Sequence, residues 1–81
     1  MATNVMLLIE ARQATRSGEA LELRKTADLS QGELARAAKV SAASLSRWEA
    51  GSRKPSGEAA IRYARVLRAI RSRQLENGAT G

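Results

Sequence analysis

The side chains that could do chemistry in this sequence are few in kind. Its 81 residues include no Cys and no His. Nucleophilic catalysis of the Ser-His or Cys-His type needs residues that the chain lacks, and protein zinc sites are built mainly from Cys and His. We therefore expect no enzyme activity, no metal and no cofactor. The Arg, Lys, Ser and Gln side chains that remain are suited to binding.

The charge of the chain points to a polyanionic partner. Lys and Arg number 14 against 8 Asp and Glu, a net charge of +6, and most of the excess lies in residues 52–81. A basic surface that only keeps the protein soluble is the alternative interpretation. The aromatic residues Trp48 and Tyr63 are too few for the stacking platforms of single-strand and RNA binders.

Membrane and targeting signals are weak. The apolar run Val5 to Ile9 is far shorter than the roughly 20 residues of a spanning helix. We expect a cytoplasmic protein with no membrane partner and no evident small-molecule ligand. One domain over residues 1–76 and a flexible polar tail over 77–81 are predicted.

The pattern of the chain predicts an all-α protein. Ala and Leu dominate, and no stretch alternates long enough for a strand. Ser30 and Glu33 form a capping box, Ser41 and Ser56 are predicted N-caps, and Gly51 ends a helix. The predicted helices lie near 4–15, 18–27, 31–38, 42–50 and 57–75.

The third and fourth helices are separated by only three residues, 39–41, which predicts a helix-turn-helix. Leu45 and Trp48, three apart, are expected to anchor the second helix of the pair. Ala35 fits the close crossing of the two helices, and Val40 is expected to be buried in the turn. Between 41 and 46 small Ser and Ala residues leave a face with little bulk, which suits entry into a major groove.

These residues resemble the Cro and phage-repressor type of helix-turn-helix, which includes xenobiotic-response-element-type repressors. The resemblance runs from Leu23 to Leu67 and rests on LSQGELA, residues 29–35, and VSAASLSRWEAGSRKP, residues 40–55. It implies a compact lambda-repressor-like bundle of about five helices. It also implies binding of double-stranded DNA, with the second helix of the pair in the major groove.

The resemblance also implies which residues contact DNA. Gln31 is expected to contact a phosphate from a helix N-terminus. Arg53 and Lys54 are expected to contact the sugar-phosphate backbone from the following loop. Base or phosphate contacts are expected from the recognition helix, at Ser41, Ala42, Ala43, Ser44, Ser46 and Arg47. Arg24 and Glu49 match a family ion pair that orients this helix, which is a structural role.

Within the expected reading face, Arg47 is the only long polar side chain. An Arg can hold guanine by two hydrogen bonds, worth about 1–3 kcal/mol of discrimination. A phosphate contact or a solvated side chain is the alternative for Arg47. Helix capping or backbone bonding is the alternative for the Ser residues.

The sequence departs from the family pattern at three places. Asp28 and Lys39 occupy positions where Gly is common, and Lys39 is expected either to strain the turn slightly or to change the way it is wound. The last helix continues past Leu67, where we expect Arg68 and Arg71 to take it out of the core. The additional segment 1–16 is expected either to pack on that helix or to form a dimer contact.

The resulting hypothesis is a sequence-specific transcriptional repressor of the phage or mobile-element kind, nucleoid-associated in a bacterium or a phage-infected host. It would bind operator half-sites as a homodimer, with a monomer left open. The alternative hypothesis is an antitoxin or accessory regulator that uses the same fold to bind a protein partner.

Overall fold

The computed structural model describes residues 2–80, and describes side chains for residues 4–76. The described chain is entirely helical, with no strand between residues 2 and 80. Its five helices are α1 (Ala2–Ser17), α2 (Glu19–Thr26), α3 (Gln31–Ala38), α4 (Ala42–Ala50) and α5 (Gly57–Thr80). The predicted all-α bundle of about five helices is therefore confirmed.

The helix ends are set by local signals that the sequence shows. The capping box is present, since Ser30 Oγ accepts from the Glu33 backbone N–H and the Glu33 carboxylate accepts from the Ser30 N–H. Both bonds satisfy donors that the first turn of a helix leaves free. Gly51 ends α4 with a left-handed φ of 78°, so α3 and α4 have the predicted bounds.

Two residues other than Gly also end helices in the left-handed region. Asp28 has φ 60° and Lys39 has φ 57°. Both occupy the positions where the family commonly has Gly, and for Lys39 this conformation costs about 1–2 kcal/mol relative to the right-handed one. The expected strain of the α3–α4 turn is therefore present.

The start of α5 matches the predicted residue but lacks the predicted side-chain cap. Gly57 begins the helix with φ 69°, and the Ser56 carbonyl accepts from the Ala60 N–H at 3.3 Å, so Ser56 occupies the N-cap position. Among the described residues, however, the Ser56 side chain makes no hydrogen bond to the first turn of α5. The left-handed conformation at Gly57 is one that a residue without Cβ adopts readily.

A core of small and large apolar residues joins all five helices. Its fully buried members include Leu7 and Ala11 of α1, Leu34 of α3, Leu45 of α4 and Tyr63 of α5. Ala35 is buried as expected, whereas Val40 is only half-buried against the core.

The structure decides between the two alternatives for the first helix only in part. α1 packs mainly on α5 and also contacts α2 and α4, so intramolecular packing is confirmed. However, Val5, Met6 and Ile9 on the same helix are 56%, 52% and 40% exposed. One face of α1 is therefore buried, and an apolar face remains at the surface.

The α5 helix does not leave the core at Arg68, as the sequence suggested. Arg68 Nε donates to Glu10 of α1 at 2.8 Å, and Arg71 Nε donates to Glu19 of α2 at 3.2 Å. Between them, Ile70 still packs against the core. The two Arg residues lie on the apolar side because α1 and α2 present carboxylates to them.

The last helix also extends beyond its predicted end near residue 75, to Thr80. Gly81 and the side chains of residues 77–80 lie outside the described ones. The flexible tail and the domain boundary at residue 76 therefore stay predictions.

Candidate nucleic-acid interface

The recognition helix α4 is held by one buried face. Leu45 is fully buried and Trp48 is 4% exposed. The Trp48 ring packs on Tyr63 of α5, with centroids 5.2 Å apart and the planes tilted by 42°. This anchoring leaves the opposite face of the helix at the surface, with Ser41, Ala42, Ala43, Ser46 and Arg47 exposed.

The N-terminus of α4 is closed by its own Ser residues. Ser41 Oγ accepts from the Ser44 backbone N–H at 3.0 Å and donates to Ser44 Oγ at 2.9 Å. Ser41 therefore caps the helix, which was the alternative interpretation of this residue. Because Ser44 Oγ accepts a hydrogen bond from Ser41, its own hydroxyl hydrogen is left to donate to an outside acceptor.

A polar network fixes the other end of α4. Arg24 Nε lies 2.8 Å from Glu49 Oε2, and Arg24 Nη2 donates to Glu49 Oε1 at 3.0 Å. Arg24 Nη1 also donates to the Leu29 carbonyl at 2.9 Å. The side chains are only 13% and 3% exposed, so the pair that the family resemblance implies is present and largely buried. A two-bond Arg–carboxylate pair fixes orientation more strongly than a single contact.

Gln31 belongs to this network, which the sequence analysis missed. Its Nε2 donates to Glu49 Oε1 at 2.8 Å. The first residue of α3 is thereby tied to the last turn of α4, across the helix-turn-helix. One amide hydrogen of Gln31 remains to donate to a phosphate. The resemblance did offer a signal for this contact, because a buried Glu49 carboxylate can accept more hydrogen bonds than one Arg donates and so calls for a further donor nearby.

Tyr63 lies fully buried beneath the network. Its hydroxyl has no hydrogen-bond partner among the described residues. Burial raises the pKa of Tyr63 well above its usual range, the Glu49 carboxylate raises it further, and Arg24 opposes this. The residue therefore stays a neutral phenol and serves as an aromatic support for Trp48.

The loop after α4 carries the predicted backbone contacts. Arg53 and Lys54 are exposed. The loop folds back on the recognition helix, because Ser52 N and Ser52 Oγ both donate to the Arg47 carbonyl, at 3.0 and 3.3 Å. Arg47, Arg53 and Lys54 make no side-chain hydrogen bond to another described residue, so their charged groups are available to a ligand.

Two other cations have structural roles that the sequence analysis missed. Arg62 donates from Nε to the Ala38 carbonyl at 3.1 Å and from Nη2 to the Lys39 carbonyl at 2.9 Å. Arg12 Nε donates to the Pro55 carbonyl at 2.8 Å. Both bonds span long sequence separations, which no local spacing rule reveals.

Three features together define a DNA-binding helix-turn-helix protein. They are the exposed small-residue face of α4, the network of Arg24, Glu49 and Gln31 that orients this helix, and the cationic loop that follows it. The helix-turn-helix family model matches residues 21–72, well over half of the chain, so the chain belongs to the Cro/C1-type helix-turn-helix family. It is of the transcription-regulator kind and binds double-stranded DNA. No curated protein and no solved structure matches the chain. Within residues 2–80, no helix is both long and apolar enough to cross a membrane.

Proposed function

We propose that this protein is a sequence-specific repressor, of the phage or mobile-element kind, that binds operator half-sites with α4 in the major groove. The exposed face of α4 carries the proposal. Ala42 and Ala43 are exposed at its N-terminal half, where an ordinary surface helix carries long charged side chains. A narrow face of small residues lets the helix axis approach the base edges closely.

Base reading is assigned mainly to Arg47. Its side chain is exposed and makes no hydrogen bond within the described chain. Two guanidinium N–H groups match the O6 and N7 acceptors of guanine. Ala42 and Ala43 contact thymine methyl groups, whereas Ser44 and Ser46 donate to a phosphate or a base with little selectivity.

We assign the positioning of the protein on the DNA to contacts with backbone phosphates, which do not distinguish one base from another. Arg53 and Lys54 neutralise phosphates beside the groove that α4 occupies. Gln31 contacts a phosphate at the N-terminus of α3 through the part of its amide that Glu49 leaves free. The Arg24–Glu49–Gln31 network holds this phosphate contact and the recognition helix in one fixed relation.

The protein represses by occupying a promoter as a homodimer. An isologous dimer presents two recognition helices to half-sites about one helical turn apart. The exposed apolar residues Val5, Met6 and Ile9 of α1 supply a surface for the pairing. The variant Ile9→Glu places a charge on this apolar surface. We expect sedimentation to show that this variant is a monomer. A wild-type chain that sediments as a monomer with and without operator DNA contradicts the dimer.

Footprinting on DNA from the genomic neighbourhood of the protein tests the function directly. We expect a protected site that is preferred over random DNA across a range of salt concentrations. Arg47→Ala should relax selectivity at a G position, whereas Arg53→Ala should weaken all sequences alike and lower the salt slope by about one unit. Equal effects of the two variants remove the reading role of Arg47. Absence of any preferred site removes the repressor proposal and favours the alternative of a regulator that binds a protein partner.

A further inference from the structure

A cationic pocket lies at the edge of the helix-turn-helix, between the end of α1, the C-terminal end of α4 and the loop that follows it. It has a volume of about 440 Å³. Its lining includes Arg12 and Arg16 from α1, and Arg53 and Lys54 from the loop. Glu49 is the one carboxylate among the described residues of the lining, and both of its oxygens already accept hydrogen bonds from Arg24 or Gln31. The pocket therefore presents a surplus of positive charge.

The structure brings these four cations together by a specific contact. Arg12 Nε donates to the Pro55 carbonyl, which ties α1 to the loop that carries Arg53 and Lys54. The remaining guanidinium donors of Arg12 have no partner among the described residues. Arg16 follows one turn later on the same side of α1 and is exposed. Like charges at short range repel one another, and an anion in the pocket removes that repulsion.

We propose that α1 is a second DNA-contacting element, in which Arg12 and Arg16 join Arg53 and Lys54 in holding backbone phosphates beside the half-site. The proposal rests on the proposed function of α4. The pocket is continuous with the C-terminal end of the recognition helix, because Ala50 and Gly51 also line it. A DNA strand whose backbone contacts Arg53 and Lys54 in the loop thus reaches α1 next. α1 precedes the family-matched region, residues 21–72, so the contact extends the footprint beyond the helix-turn-helix.

The test compares two variants that each remove one exposed Arg. Arg16→Ala removes a pocket cation that makes no hydrogen bond to another described residue. Arg65→Ala is the matched control, since Arg65 is exposed on α5 and does not line the pocket. The dissociation constant for the footprinted DNA is measured over a range of salt. We expect Arg16→Ala to lower the log–log salt slope by about one unit for all sequences, and Arg65→Ala to leave it unchanged.

Duplex length provides a second readout. Trimming the flank of the operator that α1 contacts should lower the salt slope more in wild type than in Arg16→Ala, because the variant has already lost one of the two α1 contacts. Further trimming by the same step should affect both proteins alike. Inorganic phosphate, titrated without DNA and followed by the amide resonances of Gly18 and Gly51, tests for a free-anion site. The DNA contact by α1 is overturned by two results together: phosphate saturates the pocket, and the salt slope of Arg16→Ala equals that of wild type.

The failure of this inference is distinct from failure of the proposed function. A wild-type chain that binds no DNA overturns both. A chain that protects its operator, with equal salt slopes for Arg16→Ala and Arg65→Ala, overturns only the role of α1.

Discussion

The helix-turn-helix and the α1–α5 layer are held together by different kinds of contact. α4 is oriented by directional bonds from Arg24 and Gln31 to a carboxylate that is 3% exposed. α1 instead packs on α5 through small and aliphatic residues, including Leu7, Ala11 and Ala14, with the exposed Arg68–Glu10 pair at its edge. These directional bonds add to the apolar anchoring of α4 by Leu45 and Trp48. The orientation of the reading helix therefore depends on polar contacts as well as on packing.

Removing one member of the buried pair should have the largest effect. In Arg24→Ala the Glu49 carboxylate stays buried without its partner, and we expect a loss of about 3–5 kcal/mol in the free energy of unfolding. Urea denaturation measures it, with Arg68→Ala as the control from the exposed pair, for which a much smaller loss is expected.

That loss is comparable to the whole stability of a small domain, so a second variant separates orientation from folding. Replacing both partners, in Arg24→Met with Glu49→Met, should restore much of the stability but not the operator affinity. The comparison fails if Arg24→Ala is no more destabilising than Arg68→Ala, or if the double variant binds operator normally.

Overpacking the α1–α5 layer should have an intermediate effect. Ala11 is fully buried, and Ala11→Leu forces helices apart at a cost of about 1–3 kcal/mol. Base preference should not change, because the Arg24–Glu49–Gln31 network still orients α4. Gln13→Leu, on the exposed side of the same helix, is the control. A change of base preference in Ala11→Leu would show that α1 also orients α4.

Between the two regions, Tyr63 offers a test with the opposite sign. Its buried hydroxyl has no hydrogen-bond partner in the part of the chain that the structure describes, so Tyr63→Phe removes a desolvated donor and keeps the ring against Trp48. We expect the free energy of unfolding to rise by about 1 kcal/mol in thermal or urea denaturation. Destabilisation of that size instead indicates a partner for the hydroxyl.

The smallest effect is expected from the exposed pair of the α1–α5 layer. The hydrogen bond from Arg68 holds the pKa of Glu10 below its ordinary value of 4.5, burial opposes this, and the charges of Arg68 and Arg71 add to it. The folded state thus binds this proton less readily than the unfolded state. The contribution is complete above pH 4.5 and is lost as the pH falls through the lower folded pKa.

Urea denaturation over that pH range should show a slightly shallower acid loss in Glu10→Gln than in wild type. The capping box contributes in the same direction, because the Ser30 backbone N–H holds the pKa of Glu33 below its ordinary value. A Glu10→Gln profile that matches wild type shows that the Arg68 pair does not stabilise the fold.

Sequence patterns predicted those features that local chemistry determines. The Ser30–Glu33 capping box, the bounds of α3 and α4, and the burial of Leu45 and Trp48 all follow from residues within a few positions of each other. The Arg24–Glu49 pair spans 25 residues, and only the family resemblance indicated it. Arg62 and Arg12 were out of reach because their acceptors are main-chain carbonyls, which every residue has.

The Arg62 fork also has a consequence for how the domain folds. The Arg62 side chain donates to the carbonyls of Ala38 and Lys39 at the strained end of α3, which lie 24 and 23 residues earlier in the chain. The turn of the helix-turn-helix is thus completed by a residue outside it, on α5. Closing a contact over this separation costs loop entropy, which the packing of α5 on the core must offset. Residues 31–50 grafted alone onto another scaffold would carry the motif without the bonds that close its turn.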